Sequence, residues 1–312
     1  MTSPAADNTR TNPVPLDTGD SREGFLLALA VYVLWGFLPL YMKAVAHIPS
    51  GEVVAHRIFW SVPVSGIILY WMGRTADIRR AVREPRTLAM AALTASLITV
   101  NWGVYVWSIA AGRALETALG YYINPLFSIF LGAVLLGEKL DRLKIAAIAL
   151  AAAAVVILTL ETGGLPWVSL VLTVSWGFYA LFKKTLPVGP TQGFFLEVLL
   201  LSVPALGYIV WLETNGSGHF LADSSYNTVM LMLAGVVTAV PLIIYANAAK
   251  RLRLSTIGIM QYIAPTMIFL IAVFVFGEPF DRSRMIVFAL IWTALAIYSW
   301  SMFRGRSTAA RS

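Results

Sequence analysis

Ten long apolar runs, each bounded by charged or turn-forming residues, constrain the fold of this 312-residue chain more than any other feature. A helix needs about 20 mostly apolar residues to cross the hydrocarbon core of a bilayer. Membrane β-barrels use alternating segments of about ten residues, so these longer continuous runs predict helices. The ten predicted spans cover approximately residues 24–42, 52–72, 87–110, 116–136, 143–160, 166–182, 193–212, 228–249, 256–276 and 285–303.

The composition agrees with a bilayer environment. Hydrophobic residues make up 58% of the chain, charged residues make up 12%, and the mean hydropathy is +0.75, which excludes a soluble globular protein. We therefore predict an all-α integral membrane protein with ten transmembrane helices and no extramembrane domain. Residues 1–23 and 304–312 are the predicted cytoplasmic tails, the first of them disordered. The first span lacks the pattern of a cleaved signal peptide and is expected to be retained.

Basic residues in the connections predict the orientation of the spans, because Lys and Arg in short loops stay on the cytoplasmic side. With the N-terminus inside, 18 of the 23 basic residues lie on that side and Arg57 lies within a span. The four that lie outside are Lys43, Arg113, Arg282 and Arg284. Both termini are thus predicted to be cytoplasmic, and membrane topology accounts for the net charge of +7 without nucleic-acid binding.

A repeated segment divides the chain into two halves. Residues 115–142 align without gaps onto residues 255–282, at an offset of 140. The repeated motifs are Tyr-Ile-x-Pro at 122–125 and 262–265, Gly-Glu-x-x-Asp-Arg at 137–142 and 277–282, and Trp-Gly-Phe at 35–37 and 176–178. The Gly-Glu pairs end their spans, where glycine is typical of a helix C-terminus, and we do not assign them to a site. Two repeats of five spans are predicted, residues 24–160 and 166–303.

The odd number of spans in each repeat has a consequence for topology. Because five is odd, the second repeat must enter the membrane with opposite polarity to the first. Inverted repeats support alternating access in secondary transporters, so the spacing alone favours a transporter. Duplication also builds other membrane proteins, and a passive channel or a membrane receptor or scaffold is the alternative.

The residue types available for chemistry argue against an enzyme. The chain has no cysteine, and His47, His56 and His219 are too widely spaced for a zinc site, so neither a metal nor a cofactor is expected. It lacks the GxxxxGK[ST] phosphate loop of an ATP-driven pump, and transport is expected to run on a gradient or by exchange. Glu52 and Glu197 do not form a pair of catalytic carboxylates at a common depth.

Several longer motifs point to a family. They are WGFLPLYMK, EVVAHRIFWS, NWGVYVWSIAAG, LETALGYYINPL and QYIAPTMIFLIAVFVFGEPF. With these motifs the chain resembles the RarD branch of the EamA-type transporters, in the drug/metabolite transporter superfamily, over about residues 24–303. The resemblance implies a ten-helix fold of two EamA repeats, a location in the bacterial inner (plasma) membrane, and export or exchange of small metabolites or drugs.

Two charged residues lie within predicted spans. Arg57 lies about 8 Å into the second span, counted at 1.5 Å per residue, and a charge at depth is costly unless it is solvated or paired. Either Arg57 snorkels to the outer interface, or it faces an aqueous cavity where it attracts a carboxylate or a phosphate. Glu197 is its counterpart in the seventh span, near the cytoplasmic side. It either serves the opposite gate and binds a coupling proton, or forms a structural ion pair or hydrogen bond between helices.

Two prolines at matching places mark the expected substrate site. Pro125 in the fourth span and Pro265 in the ninth each remove a backbone donor and kink the helix, which leaves polar backbone at mid-membrane. Substrate sites of inverted-repeat transporters lie near the midplane. We therefore expect the adjacent polar side chains to contact a small-molecule substrate: Tyr121, Tyr122, Asn124, Gln261 and Tyr262. A stripe of small residues on the same helix equally indicates a helix–helix seam: Gly120, Asn124, Ser128 and Gly132.

Aromatic and amide side chains recur in the other spans. Trp35 and Trp176 match in the first and sixth spans, Asn101 lies in the third, and Tyr245 and Asn247 lie in the eighth. Aromatic residues in membranes mostly belong to the core or to interfacial belts, but their repetition favours a place in the cavity. The expected partners are thus a small-molecule substrate, the lipid bilayer and protons as a candidate coupling ion.

Overall fold

The computed structural model describes residues 21–73, 75–137, 140–221, 224–249, 251–252 and 254–309, and this part of the chain consists of helices and connections without strands. Most of the predicted N-terminal tail, residues 1–20, lies outside it. The helices are α1 (Arg22–Ala44), α2 (Ser50–Trp71), α3 (Ala76–Val82), α4 (Pro85–Ala110), α5 (Ala114–Leu136), α6 (Arg142–Thr162), α7 (Trp167–Thr185), α8 (Pro190–Thr214), α9 (Ser225–Ala249), α10 (Leu254–Met260), α11 (Ile263–Leu270) and α12 (Arg282–Ala309).

Ten helical segments cross the predicted bilayer. Among the described residues, nine are long and apolar enough to span a membrane, with α10, α11 and the π-helical turn Ile271–Val275 forming one of them. The tenth is α7, whose apolar part, Trp167–Lys183, is shorter. Helix α3 was not predicted, because its sequence ADIRRAV is polar and only seven residues long. The predicted all-α membrane fold is confirmed.

The helix ends follow from local sequence. Pro85 and Pro190 occupy the first positions of α4 and α8, where a missing N–H costs nothing. Asp141 caps α6 by accepting a hydrogen bond from the backbone of Lys144. Gly137 and Gly277, which are repeat counterparts, both have φ of 68°, a left-handed conformation that glycine adopts readily. The glycine stop predicted from the repeated motif is thereby confirmed.

Many helix contacts correspond between the two predicted repeats. Helices α6 and α12, α2 and α8, and α5 and α11 are repeat counterparts that contact each other, and α1 packs on α9 and α11 as α7 packs on α4 and α5. Close approaches are repeated too. A Cβ added at Gly36 would lie 2.5 Å from Sδ of Met267, and one added at Gly177 would lie 2.5 Å from Cδ1 of Phe127, the counterpart of Met267. Equivalent helices of the two predicted repeats therefore make matching contacts.

Gly36→Ala is expected to destabilise the bundle by about 1–3 kcal/mol, because the added methyl group overlaps Met267. Gly103→Ala in α4 is the matched control, since a Cβ at Gly103 meets nothing within 4 Å and alanine favours a helix by about 1 kcal/mol over glycine. Thermal unfolding of both variants in the same detergent measures the difference. Equal melting temperatures would contradict the close packing of α1 on α11.

The two ends of the bundle differ in charge and in packing. We call one end the basic face and the other the opposite face. Helix α2 packs along α9 far more extensively than its counterpart α8 packs along α4. The repeats are therefore arranged asymmetrically although their folds match. In the described part of the chain, the basic face carries the connections 72–73, 75–84, 137, 140–141, 186–189 and 251–252, and the opposite face carries 45–49, 111–113, 163–166, 215–221, 224 and 276–281.

Candidate functional site

A chamber of about 170 Å³ lies at the centre of the bundle, between the two repeats. Helices α1, α2, α4, α5, α7, α9 and α11 line it, together with Gln261 between α10 and α11. Eight of the eleven predicted substrate-binding residues line this chamber, as does Pro265. The eight are Trp35, Arg57, Asn101, Tyr121, Asn124, Trp176, Tyr245 and Gln261.

The prolines affect the two equivalent spans differently. Gln261 and Tyr262 separate α10 from α11, four and three residues before Pro265, which cannot donate to the carbonyl of Gln261. The ninth span is therefore interrupted just before the proline at which a kink is expected. Helix α5 instead continues through Pro125 without a break. Tyr121 and Gln261, whose carbonyls lose their donors to these prolines, both line the chamber.

Three predicted residues lie away from the chamber. Tyr122 packs edge-on against Phe288 of α12, and its hydroxyl lies 2.7 Å from Oγ1 of Thr266. Asn247 donates to a carbonyl of its own helix, and Tyr262 packs against the main hydrophobic core. Consecutive residues on a helix point about 100° apart, so the neighbour of a lining residue faces a different helix. These three residues are therefore not among those that line the chamber.

Arg57 is buried beside the chamber, with 3% of its surface exposed. Its Nε donates to Oγ1 of Thr238 on α9 at 3.0 Å. The guanidinium carbon lies 4.9 Å from the centroid of the Trp102 ring on α4, a favourable cation–π distance. Arg57 therefore faces the chamber and does not extend to the outer interface.

Glu197 forms an ion pair between α8 and α7. Its Oε1 lies 2.5 Å from Nζ of Lys183, and Tyr179 donates to its Oε2 at 3.2 Å. The side chain of Glu197 is 1% exposed and that of Lys183 is 20% exposed. Lys183 was not predicted as a site residue. A signal existed, because Tyr179 and Lys183 are four residues apart on α7 and therefore share one face of the helix.

A vestibule of about 920 Å³ connects the chamber with the basic face. Its walls include Ser128 and Gly132 of α5 on one side and Gly258 of α10 on the other, and it reaches Lys144 and Lys183 near the basic face. Gly120 packs closely on the backbone of Ser169 in α7. The small-residue stripe of α5 therefore serves both as a helix seam and as a cavity wall. The residues common to chamber and vestibule are Trp35, Asn124, Trp176, Tyr179, Leu242, Tyr245 and Gln261.

Aromatic rings surround the passage between chamber and vestibule. Trp35 lies 5.5 Å from Tyr245 and 5.8 Å from Tyr32, between ring centroids. Trp176 lies 5.7 Å from Tyr179 in the other repeat. Sequence reasoning missed Tyr32 and Tyr179, although each lies three residues from a predicted tryptophan on the same helix face.

The opposite face is closed by contacts between distant segments. Glu52 accepts a hydrogen bond from the backbone N–H of His219 at 2.7 Å, and its Oε2 lies 2.8 Å from Nδ1 of the same residue. The hydroxyl of Tyr41 donates to the carbonyl of Met230 at 2.5 Å. His56 stacks on Phe220 with ring centroids 4.7 Å apart. The connection between α8 and α9 is thereby tied to α2.

Glu278 joins the two repeats at the opposite face. Its carboxylate accepts hydrogen bonds from the backbone N–H groups of Ala114 at 2.6 Å and Leu115 at 2.9 Å, at the beginning of α5. Burial raises the pKa of the Glu278 carboxyl above its ordinary value, while the two backbone donors act in the opposite direction. The helix stop containing Glu278 therefore also caps a helix of the other repeat. Its counterpart Glu138 lies outside the described residues.

The family comparison matches the part of the chain that corresponds to the first predicted repeat. A model of the EamA-like transporter family matches residues 22–160. The chain is 41% identical to "Protein RarD" of Streptomyces exfoliatus over 94% of this chain and 92% of that protein. It belongs to the RarD branch of the EamA-like transporter family. This RarD-like chain is also 36% identical to "Protein RarD" of Escherichia coli (strain K12), over 91% of this chain and 96% of that protein.

Other relatives support the same assignment. An "Uncharacterized transporter" of Vibrio cholerae is 38% identical over 95% of this RarD-like chain and 98% of that protein. A solved crystal structure shares the fold, with 19% identity, a TM-score of 0.55 and coverage of 90% of this chain and 98% of its own. The family resemblance is therefore confirmed, and the protein is a multi-pass bacterial membrane transporter.

Proposed function

We propose that this protein is a secondary transporter that exports or exchanges a small molecule by alternating access between its inverted repeats. The observation that carries the proposal is the unequal packing of equivalent helices. Helix α2 packs extensively along α9, whereas their counterparts α8 and α4 pack together less extensively. The vestibule shares lining residues with the chamber and reaches Lys144 and Lys183 near the basic face. Exchanging the two packings would close the vestibule and open the opposite face.

The contacts of α5 suggest how the protein switches from one packing arrangement to the other. At the opposite face, Glu278 caps the beginning of α5. At the basic face, the equivalent elements are the end of α5 and the beginning of α10, and residues near both line opposite walls of the vestibule. The two repeats supply the same elements for closing either end. In alternating access one end of the transporter is closed while the other is open. Equivalent closing elements at both ends allow the two conformations to interconvert.

The charge distribution orients the proposed cycle. The basic face carries Arg79, Arg80, Arg83, Arg142 and Lys144, and basic connections stay in the cytoplasm. Both termini then lie in the cytoplasm of a bacterium, and the conformation described here is open to the inside. The substrate would reach the chamber through the vestibule.

Glu197 and Lys183 are suited to couple the cycle to protons. A buried carboxylate paired with a lysine changes its contacts when it takes up a proton, because the neutral acid no longer attracts the ammonium group. The pair joins α7 to α8 beside the vestibule. Protonation of Glu197 would loosen this joint at the basic face. The coupling ion of the proposal is therefore a proton that binds Glu197.

Counterflow in liposomes tests the proposal. The purified protein is reconstituted, loaded with pooled unlabelled amino acids, organic anions or amphipathic drugs, and supplied with labelled members of each pool, with and without a proton gradient. We expect saturable uptake that requires the matching pool inside. Non-saturable flux would identify a channel. Absence of exchange by correctly inserted protein would favour a receptor or scaffold.

A further inference from the structure

The chamber contains a positive charge without a matching negative one. Of the described residues that line it, Arg57 is the charged one, and no carboxylate is among them. The two buried glutamates of α2 and α8 are engaged elsewhere: Glu52 with His219 and Glu197 with Lys183. Tyr41, Tyr105 and Tyr121 are close enough to interact electrostatically with Arg57. The chamber therefore has an uncompensated cation.

The guanidinium of Arg57 also has unused donor capacity. Its Nη1 has no hydrogen-bond partner in the described part of the chain, although Nε is bound to Thr238. An arginine cannot lose its proton to escape this situation. Burying an unpaired charge costs free energy. A ligand that supplies the counter-charge removes this cost, and its binding is favoured accordingly. The hydroxyl of Tyr105, which also lines the chamber, likewise has no partner among the described residues.

The position of Arg57 is fixed by its neighbours. Thr238 holds Nε, and Trp102 covers the plane of the guanidinium at 4.9 Å. A planar guanidinium held in this way binds carboxylate or phosphate oxygens with a defined geometry. Aromatic rings alone would equally attract a cationic ligand. Beside an uncompensated arginine a cation is repelled, so the charge of the chamber selects an anion.

The rest of the chamber suits an aromatic body. Trp35, Trp176 and Tyr245 line the part toward the vestibule, and apolar side chains such as Ile98 and Ile268 line the remainder. Such rings make offset or edge-on contacts with an aromatic ligand. We propose that the substrate is a small organic anion, a carboxylate or phosphate monoester on an aromatic body, whose acidic group binds Arg57 and whose ring lies among these residues. This inference rests on the proposed transport function.

A series of ligands that differ only in the charged group tests the inference by binding, without transport. Benzoate, phenyl phosphate, benzamide and benzylamine are titrated into the detergent-purified protein, with tryptophan fluorescence and melting temperature as readouts. We expect benzoate, phenyl phosphate or both to bind saturably, and benzamide and benzylamine to bind at least about tenfold more weakly, a difference of about 1.4 kcal/mol. The carboxylate and phosphate members show which acidic group the site prefers.

Variants of Arg57 connect the binding to the proposed residue. Arg57→Gln is expected to weaken binding of the anions at least about tenfold without changing that of benzamide, and Arg57→Lys is expected to keep part of the affinity because the charge remains. Arg83→Gln is the matched control, since Arg83 is exposed at the basic face. The comparison of the four ligands uses the wild-type protein alone. It therefore still tests the inference if the Arg57→Gln protein does not fold.

Equal or stronger binding of benzamide or benzylamine would overturn the inference, as would unchanged anion affinity in a folded Arg57→Gln protein. Failure of both anions to bind the wild-type protein at millimolar concentration would overturn it too. These outcomes are separate from a failure of the proposed function. Selective anion binding without counterflow would contradict the proposed transport function but not the anionic ligand. Counterflow of neutral or cationic molecules that is unaffected by Arg57→Gln would contradict the anionic substrate but not the transport function.

Discussion

Lys183→Met is expected to destabilise the protein by about 3 kcal/mol, because it leaves the carboxylate of Glu197 buried without its partner. Glu197→Gln is expected to cost less, since Lys183 is partly exposed and can reach water. The double variant is expected to regain most of the stability lost in Lys183→Met, because a neutral pair replaces an uncompensated charge. Thermal unfolding in detergent, combined as a double-mutant cycle, measures the coupling between the two residues.

Counterflow separates the structural role of this pair from a role in coupling. Glu197→Gln is expected to insert and fold but to lose the dependence of counterflow on the proton gradient. Glu213→Gln is a suitable control, because Glu213 lies at the end of the same helix and accepts from the backbone of Phe220. If Glu197→Gln keeps a wild-type response to the gradient, the pair holds α7 and α8 together and does not couple transport to protons.

Glu278→Ala is expected to open the opposite face. The substitution removes two hydrogen bonds that cap α5 across the repeat boundary, and a helix cap contributes about 1–2 kcal/mol, which corresponds to about a tenfold shift between closed and open populations. The chain has no cysteine, so a cysteine at Leu38, which lines the chamber, provides a unique label site. Its reaction with an impermeant thiol reagent added from the opposite face is expected to accelerate about tenfold.

Glu116→Ala is the matched control for this experiment. Glu116 pairs with Arg113, three residues before it at the same face, and a partly exposed local pair contributes little. Its removal leaves the contact between the repeats intact, so labelling at Leu38 is expected to stay slow. Equal acceleration in both variants would show that any change at this face opens it, and no acceleration in Glu278→Ala would remove the cap from the mechanism.

Much of this architecture could be predicted from the sequence, because its causes are local or repeated. Continuous apolar runs specify the spans, and the matching Tyr-Ile-x-Pro segments specify two repeats. The prolines also identify the depth of the cavity, which is why residues beside them such as Tyr121 and Gln261 line the chamber. That neighbours of lining residues such as Tyr122 lie outside the chamber could not be predicted, because a list of spans does not give the rotation of each helix about its axis.

The remaining features depend on contacts between distant segments. The sequence around Glu52 does not identify His219 as its partner. The sequence around Glu278 likewise does not show that its carboxylate caps the beginning of α5. The pairing of Glu197 with Lys183 requires the crossing of α7 and α8. Which face is open is also absent from the sequence, because two repeats with corresponding helices can close either end. It depends on the difference in packing between equivalent helices, such as α2 with α9 and α8 with α4.

Distances between spin labels at the two faces test alternating access most directly. One pair joins Leu135 in α5 to Ile259 in α10, the helices that contribute Gly132 and Gly258 to the vestibule. The other pair joins Ala111 to Pro279 at the opposite face, and all four side chains are exposed. On adding a substrate identified by counterflow, the first distance is expected to shorten while the second lengthens. Distances that stay constant or change in the same direction during active counterflow would contradict alternating access.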